Sequence, residues 1–423
     1  AEVFYYGEKD IQNEQVKAEV DSNLLERAQR TLAKEMGEDL LNSNNTPDFT
    51  IPKPYYLDRA GNKHEAEWKW HEETKSLSVN FQPESYPVAL DPTLSFTAPG
   101  VSNGGSVITG ESGSNFGIAT VAGDFNTDGK MDLAVGGSGY ASSTGRVYIF
   151  YNDGGIATMA TAADVTITGE TPSDQFGRSL IAGDLNADGR VDLAVGAHGY
   201  LVGDGTGRAY VFYNDGSIPT TAATADAAIT GETLGDYFGW SLAVGDFNTD
   251  GKVDLAVGAR IYSSNTGRAY IFYNGSITTE NASGADVIIT GETTSNYFGI
   301  SLTAGDFNAD GRVDLAIGAH RYSSYTGRVY IFYNDGSIPT TAATADVTIT
   351  GEATSYFGWH IASGDFNADG KTDLVIGAYT YSSNAGRAYI FYNDGSIPTT
   401  AATADVTITG EASSNFGAYL ASG

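Results

Sequence analysis

Six Phe-Gly pairs, beginning at Phe116, Phe176, Phe238, Phe298, Phe357 and Phe416, divide this 423-residue chain into intervals of 60, 62, 60, 59 and 59 residues. A period near 60 is too long for the common short solenoids and falls in the range of propeller blades. Each unit offers four short runs of β-forming residues separated by Gly, Asp, Asn and Ser turns. In the fourth copy these runs are 298–305, 314–318, 328–333 and 346–350. A four-stranded antiparallel blade accommodates all four. The expected fold is therefore all-β, a β-propeller of five complete repeats. An orphan outer strand at 106–110 precedes them and an orphan inner strand at 416–422 follows.

Between the first two strands of every copy lies an acidic loop of nine residues. The copies place Asp124, Asn126, Asp128, Lys130 and Asp132 at positions one, three, five, seven and nine, then Asp184, Asn186, Asp188, Arg190 and Asp192. Asp246, Asn248, Asp250, Lys252 and Asp254 follow, then Asp306, Asn308, Asp310, Arg312 and Asp314, and finally Asp365, Asn367, Asp369, Lys371 and Asp373. Position six is always Gly. Three carboxylates held about 4 to 5 Å apart repel by roughly 3 to 4 kcal/mol per pair at an effective dielectric of about 20. A divalent cation removes that repulsion. All the side-chain donors are hard oxygens, and positions one, three, five and six resemble the calcium loop of an EF-hand. Calcium is the expected ion, at about five sites, with position seven offering its backbone carbonyl and turning its cationic side chain away. The plainer reading of one copy is an Asp/Asn/Gly turn with no metal; five matching copies favour the metal.

The Phe-Gly pair, the acidic loop and the Gly-Ala that follows it (Gly196-Ala197, Gly258-Ala259, Gly318-Ala319, Gly377-Ala378, with Gly136-Gly137 in the first copy) recur in fixed order. Together they resemble FG-GAP repeats, the blades of the integrin alpha-subunit propeller. The resemblance spans about residues 101–423 and implies metal ligation at loop positions one, three, five and nine, with the carbonyl at seven. Two departures stand out. His198, Arg260, His320 or Tyr379 replaces the Pro of the Gly-Ala-Pro signature, and the copies are more alike than integrin blades are expected to be. Integrin-type propellers have seven blades, so five repeats leave the ring to be completed by the N-terminal strands, by further chain or by another subunit.

Residues 1–45 read differently. Apolar residues from Val16 to Leu41 recur mostly at four-residue steps, which predicts an amphipathic helical arm that covers an edge of its own chain or docks on a neighbour. Residues 46–100 form a small β-rich segment, with strands expected at 65–70, 77–81 and 86–90.

With 23 basic and 52 acidic residues the formal charge is −29, which argues against nucleic acid or an anionic membrane as partner. Fifteen of those carboxylates sit in the five loops, and five calcium ions would leave −19. The chain contains no Cys, so calcium takes the stapling role, each site adding about 2.7 kcal/mol when free ion is a hundredfold above its dissociation constant. No apolar run is long enough to span a bilayer. The chain opens Ala1-Glu2-Val3, as a processed secretory product does, and the expected location is extracellular or at the cell surface. No Gly-x-Ser-x-Gly elbow, phosphate-cradling loop or His-Glu-x-x-His is present, so no enzyme activity is expected.

The resulting expectation is a structural or adhesive building block that self-associates into an oligomer or filament through the arm and unpaired terminal strands. The alternatives are a glycan- or protein-binding module and an accessory domain of a larger secreted enzyme. Tyr140, Tyr200, Tyr262, Tyr322 and Tyr381 follow the Gly-Ala strands on the face opposite the loops, where they either stack on sugars or pack between blades. Trp240 and Trp359 read as core. The segment that begins at Asn214, Asn334 and Asn393 reads as an exposed connection to the outer strand.

Overall fold

In the computed structural model the repeat region pairs into five antiparallel sheets of four strands each. The structure describes the strands within residues 49–96, and residues 108–420 except 202–204 and 279. The chain divides into two units, 1–105 and 106–423. In the first unit Glu67–His71 and Ser76–Asn80 form a hairpin, and Tyr55–Leu57 lies between Lys63–Glu65 and Ala89–Asp91. The strand expected at 86–90 thus starts three residues late, and Phe49–Thr50 pairs with Ser95–Phe96 outside the expected set. The helical arm expected at 1–45 lies outside the described residues.

The second unit is a five-bladed β-propeller, with blades 1 to 5 beginning at Phe116, Phe176, Phe238, Phe298 and Phe357. Blade 3 runs outward through Phe238–Gly245, Asp254–Ala259, Arg268–Phe272 and Val287–Thr290. Its second strand is buried along its whole length, because it is covered on both faces by neighbouring blades. Alternate residues serve the two sides: Ala256, Ala269, Ile271 and Ile289 pack forward against Phe298, Leu315, Ile317, Tyr330 and Phe332 of blade 4.

In blade 4 the inner strand is Leu302–Gly305, shorter than the expected 298–305. Its first residues are shared with the preceding blade, the Phe298 amide donating to Thr266 there while the Gly299 amide still donates to Gly318 of its own second strand. Phe298 bridges Gly267 of blade 3 in parallel, and Gly299 takes a φ of +85°. The Gly299 carbonyl then rests directly on Gly258 of blade 3, where Ser241 Oγ also donates to it at 2.9 Å. The paired glycines of the repeat are therefore the two halves of one joint. A Cβ on Gly258 would overlap a backbone carbonyl that cannot swing aside. Gly258→Ala is expected to cost about 2 kcal/mol, measured as a urea midpoint shift, since overpacking typically costs 1 to 3. An unchanged midpoint would show that the blades are not held at this distance.

At the outer rim each joint carries an ion pair. Glu111, Glu170, Glu232, Glu292 and Glu352, each before a blade's Phe-Gly pair, meet Arg146, Arg208, Arg268, Arg328 and Arg387 of that blade at 2.8 to 3.5 Å. The expected orphan strands fall into the same pattern: Thr109 bridges Met159, and Phe416 bridges Gly386 as its counterparts do.

Candidate metal loops and the opposite face

Strand pairing decides where the functional residues lie. In blade 3 Gly245 pairs with Asp254 at one end of the sheet and Phe238 with Ala259 at the other. The acidic loops therefore cluster on one face of the propeller, and the Phe-Gly and Gly-Ala ends on the opposite one.

Within each loop, positions one, three and five fold onto the loop's own amides. In blade 3 the Asp250 N–H donates to Oδ1 of both Asp246 (3.0 Å) and Asn248 (2.9 Å), which draws those two oxygens together. Gly251 N–H donates to the other Asp246 oxygen at 2.8 Å, and Lys252 N–H to Asp250 Oδ1 at 2.9 Å. Gly251 has a φ of +82°, which closes the turn. The same bonds recur in the other copies, around Asp124 and Asp128, Asp184 and Asp188, Asp306 and Asp310, and Asp365 and Asp369.

Position nine does something else. Asp132, Asp192, Asp254, Asp314 and Asp373 are buried at the start of the second strand. In blade 3 one Asp254 oxygen accepts from Phe247 N–H and the other from Asn274 N–H, both at 2.8 Å. The ninth carboxylate thus ties the loop to the end of the third strand. Among the described residues no three acidic or imidazole side chains converge as a ready-made cage. The structure unites positions one, three and five and holds position nine inward through both oxygens.

Asn152, Asn214, Asn274, Asn334 and Asn393 complete this arrangement and were not recognised as site residues from the sequence. Apart from Asn152, each also donates its side-chain amide to a carbonyl at loop position one or two of the preceding blade, at 2.6 to 3.2 Å. The signal was present in the Tyr-Asn that ends every third strand. Asn214, Asn334 and Asn393 are fully buried, and so are Ala222, Ala342 and Ala401 further along, which corrects the reading of this segment as simply exposed. The Oδ1 atoms of these three asparagines have no hydrogen-bond partner among the described residues. Each of these orphaned hard oxygens belongs to the residue whose own N–H holds the ninth carboxylate, a donor chemistry that fits a hard divalent cation. Lys130 departs from the expected outward orientation, its Nζ lying 3.1 Å from Asp128, whereas Arg190 and Arg312 reach away to the carbonyls of Asn214 and Asn334.

On the opposite face each tyrosine of the post-Gly-Ala turn lies under an arginine of its own blade. The guanidiniums of Arg146, Arg208, Arg268, Arg328 and Arg387 stand 3.6 to 3.7 Å from the ring centres of Tyr140, Tyr200, Tyr262, Tyr322 and Tyr381. The arginine contact is within a blade, and Tyr262 and Tyr381 also pack, as expected, against the apolar clusters between blades 2 and 3 and between blades 4 and 5. Trp240 and Trp359, expected in the core, instead line a central cavity of about 390 Å³. The residue two places after each phenylalanine faces the propeller axis, which is why these indoles are only half-buried.

Family models for the FG-GAP repeat match residues 238–272, 298–332 and 357–391, and one for the FG-GAP-like repeat matches 124–195. These blades are FG-GAP repeats. The FG-GAP region is similar to integrin alpha-PS2 of Drosophila melanogaster, 33% identical over 261 residues, which is 54% of this chain and 18% of that protein. It is also similar to phosphatidylinositol-glycan-specific phospholipase D of Bos taurus, 31% identical over 239 residues, 52% of this chain and 28% of the relative. The human protein of that name is 27% identical over 307 residues, 65% of this chain and 36% of the relative. The chain thus spans well under half the length of these relatives.

Protonation on the two faces of the FG-GAP propeller works in opposite directions. Burial, reinforced by neighbouring loop carboxylates, pushes Asp192, Asp254 and Asp314 up to about 6. The folded state then holds protons that the unfolded chain releases, and stability present near pH 4 is lost as pH rises through 6. Burial beside arginines lowers His198 to about 3, His360 to about 4 and His320 well below the usual range. Their contribution is present above the ordinary histidine value of about 6.5 and lost as pH falls. Without calcium the two trends offset each other. An ion at the loops keeps the aspartates ionised in the folded state, so the stabilisation by calcium is expected to grow from pH 4 to pH 7. Urea titrations with calcium and with chelator check this; curves that stay parallel across that range would exclude it.

Proposed function

We propose that this FG-GAP propeller is a calcium-stabilised structural or adhesive building block of a secreted or cell-surface protein, and that it self-associates. The observation that carries this reading is the set of five equivalent acidic loops, four of them tied by an asparagine of the next blade to a loop of the one before. Calcium bound there would stabilise the blade-to-blade arrangement and neutralise acidic charge. The expected ligands are the oxygens of positions one, three, five and nine with the carbonyl of position seven.

Self-association is supported by the trailing side of blade 5. Ile167, Ile229, Ile289 and Ile349 are fully buried by the following blade, whereas their equivalent Ile408 is 45% exposed and Phe416 38%. That surface is chemically the same as the ones buried inside the propeller. A blade of a second copy, entering head to tail, would meet it in the same register, and such a contact need not close. No helix among the described residues is long and apolar enough to cross a membrane.

Sedimentation and negative-stain imaging in about 2 mM calcium and after chelation test both elements, given that ligand linkage acts only on the folded form. Oligomers or polymers that dissociate on chelation are expected. A monomer under both conditions would overturn self-association. The partial similarity to a phospholipase D supports a second reading, an accessory propeller without catalytic residues of its own in a larger enzyme.

A further inference from the structure

On the face away from the acidic loops, Arg178, Arg260 and Arg321 have no carboxylate within ion-pair distance among the described residues, although the chain carries more than two acids for every base. The contrast with the five rim arginines, all paired with glutamate, is local and chemical. Arg260 lies 3.7 Å from the ring centre of Trp240, and Arg178 4.6 Å from it. Arg321 lies 4.4 Å from that of Tyr297. Three histidines complete the cluster: His198 against Trp240 (4.6 Å), His320 against Trp359 (4.9 Å), and His360 at the cavity wall.

These groups are under-used. The Nε atoms of Arg260 and Arg321 and the Nδ1 atoms of His198, His320 and His360 have no hydrogen-bond partner among the described residues. His198 and His320 are 4% and 1% exposed, so water does not freely satisfy them. Burial lowers Arg260 to about 10 and depresses Arg178 as well, a cost that a bound anion would relieve.

The cluster is also where near-identical repeats diverge. Every acidic loop keeps Asp, Asn, Asp, Gly and Asp in place. Two residues after the phenylalanine, however, the blades carry Ile118, Arg178, Trp240, Ile300 and Trp359, and after Gly-Ala or Gly-Gly they carry Ser138, His198, Arg260, His320 and Tyr379. Packing common to all blades would be served by the same residue five times. The first set, Ile118, Arg178, Trp240, Ile300 and Trp359, lines the cavity around the axis, and an asymmetric lining suits one asymmetric ligand.

We propose that the central cavity binds an acidic sugar of the uronate class, its carboxylate on Arg178 and its ring between the indole walls of Trp240 and Trp359. The cavity, at about 390 Å³, has the size of a small-ligand site. Arg178 lines the cavity with Tyr419, and its guanidinium, with no carboxylate in ion-pair range among the described residues, can take an anion in the two-point fashion that favours Arg over Lys. The indoles supply apolar surface for a pyranose face. This inference is independent of calcium and of self-association.

The test is calorimetric titration of the full chain with D-glucuronate, D-glucose and benzoate. Saturable glucuronate binding, at least about tenfold tighter than glucose, is expected from one charge-assisted pair. Arg178→Gln should remove that preference and Trp359→Leu should weaken glucuronate, while Arg146→Gln, at the outer rim, should leave binding unchanged. The urea transition of each variant separates lost binding from lost fold. Equal affinity for glucose and glucuronate, or glucuronate binding that survives in folded Arg178→Gln, would overturn the anion contact. Benzoate binding as tightly as glucuronate would overturn the sugar class, and no saturable binding of any of the three would overturn the site.

Discussion

Asp254→Ala is expected to destabilise the propeller by about 4 kcal/mol even in the presence of chelator, because each of two buried amides left without an acceptor costs roughly 1 to 3. The amides are those of Phe247 and Asn274, each donating at 2.8 Å to a different oxygen of this carboxylate. Asp250→Ala, at position five of the same loop, should cost under about 1 kcal/mol in chelator, since it removes only exposed contacts, from Lys252 N–H and the Asn248 side-chain amide. With calcium each should lose a further and similar amount, the ion's added stability, so the gap between the two variants persists. Urea unfolding of the two variants in both buffers gives four numbers. Equal losses in chelator would mean that position nine is no more of an anchor than position five. Asp254→Asn, which keeps one acceptor oxygen, should fall between the parent and alanine.

The second large effect is at Phe298. Truncation to alanine is expected to cost about 4 kcal/mol, the usual loss for a fully buried phenylalanine. Its ring meets Tyr330 edge-on at 5.3 Å and Phe332 at 6.4 Å, and none of the three has solvent access. Phe416 provides an internal comparison. It holds the same position after the fifth blade but is 38% exposed, so Phe416→Ala should cost less than half as much in the monomer. If the chain self-associates through that end, the Phe416 variant should instead lose assembly. Comparing the two variants by urea unfolding and by sedimentation separates a core role from an interface role.

Much of this architecture was legible because a repeat states its own boundaries. The 59- to 62-residue spacing, the four β-forming runs and the turn residues between them identified the blade, and the second, third and outer strands of the fourth copy lie within a residue of their expected limits. The inner strand was misjudged for a physical reason. Phe298 and Gly299 look like strand residues, yet the Phe298 amide is taken by Thr266 of the neighbouring blade while only the Gly299 amide returns to its own second strand, and local pattern carries no trace of a partner about 30 residues upstream. The acidic loops were visible as motifs, but their internal division was not. Three similar Asp residues in each loop give no sign that the ninth position is turned inward onto amides from two different segments. Trp240 was misread for a related reason: an indole beside Phe-Gly suggests core, and only the closing of blades around an axis shows that this position faces a cavity.

The glycine-to-glycine joint has a consequence for how such a chain can change over generations. Because the contact between blades 2 and 3 uses the same atoms as the contact between blades 3 and 4, namely the Gly239 carbonyl on Gly196 and the Gly299 carbonyl on Gly258, a unit can be lost or duplicated by recombination without any new surface having to be invented. The number of units can then drift while every junction remains familiar. Residues around the axis have no such freedom, since inserting one unit would move each of them to a different place in the circle. Selection can therefore act on copy number and on the axial residues almost independently.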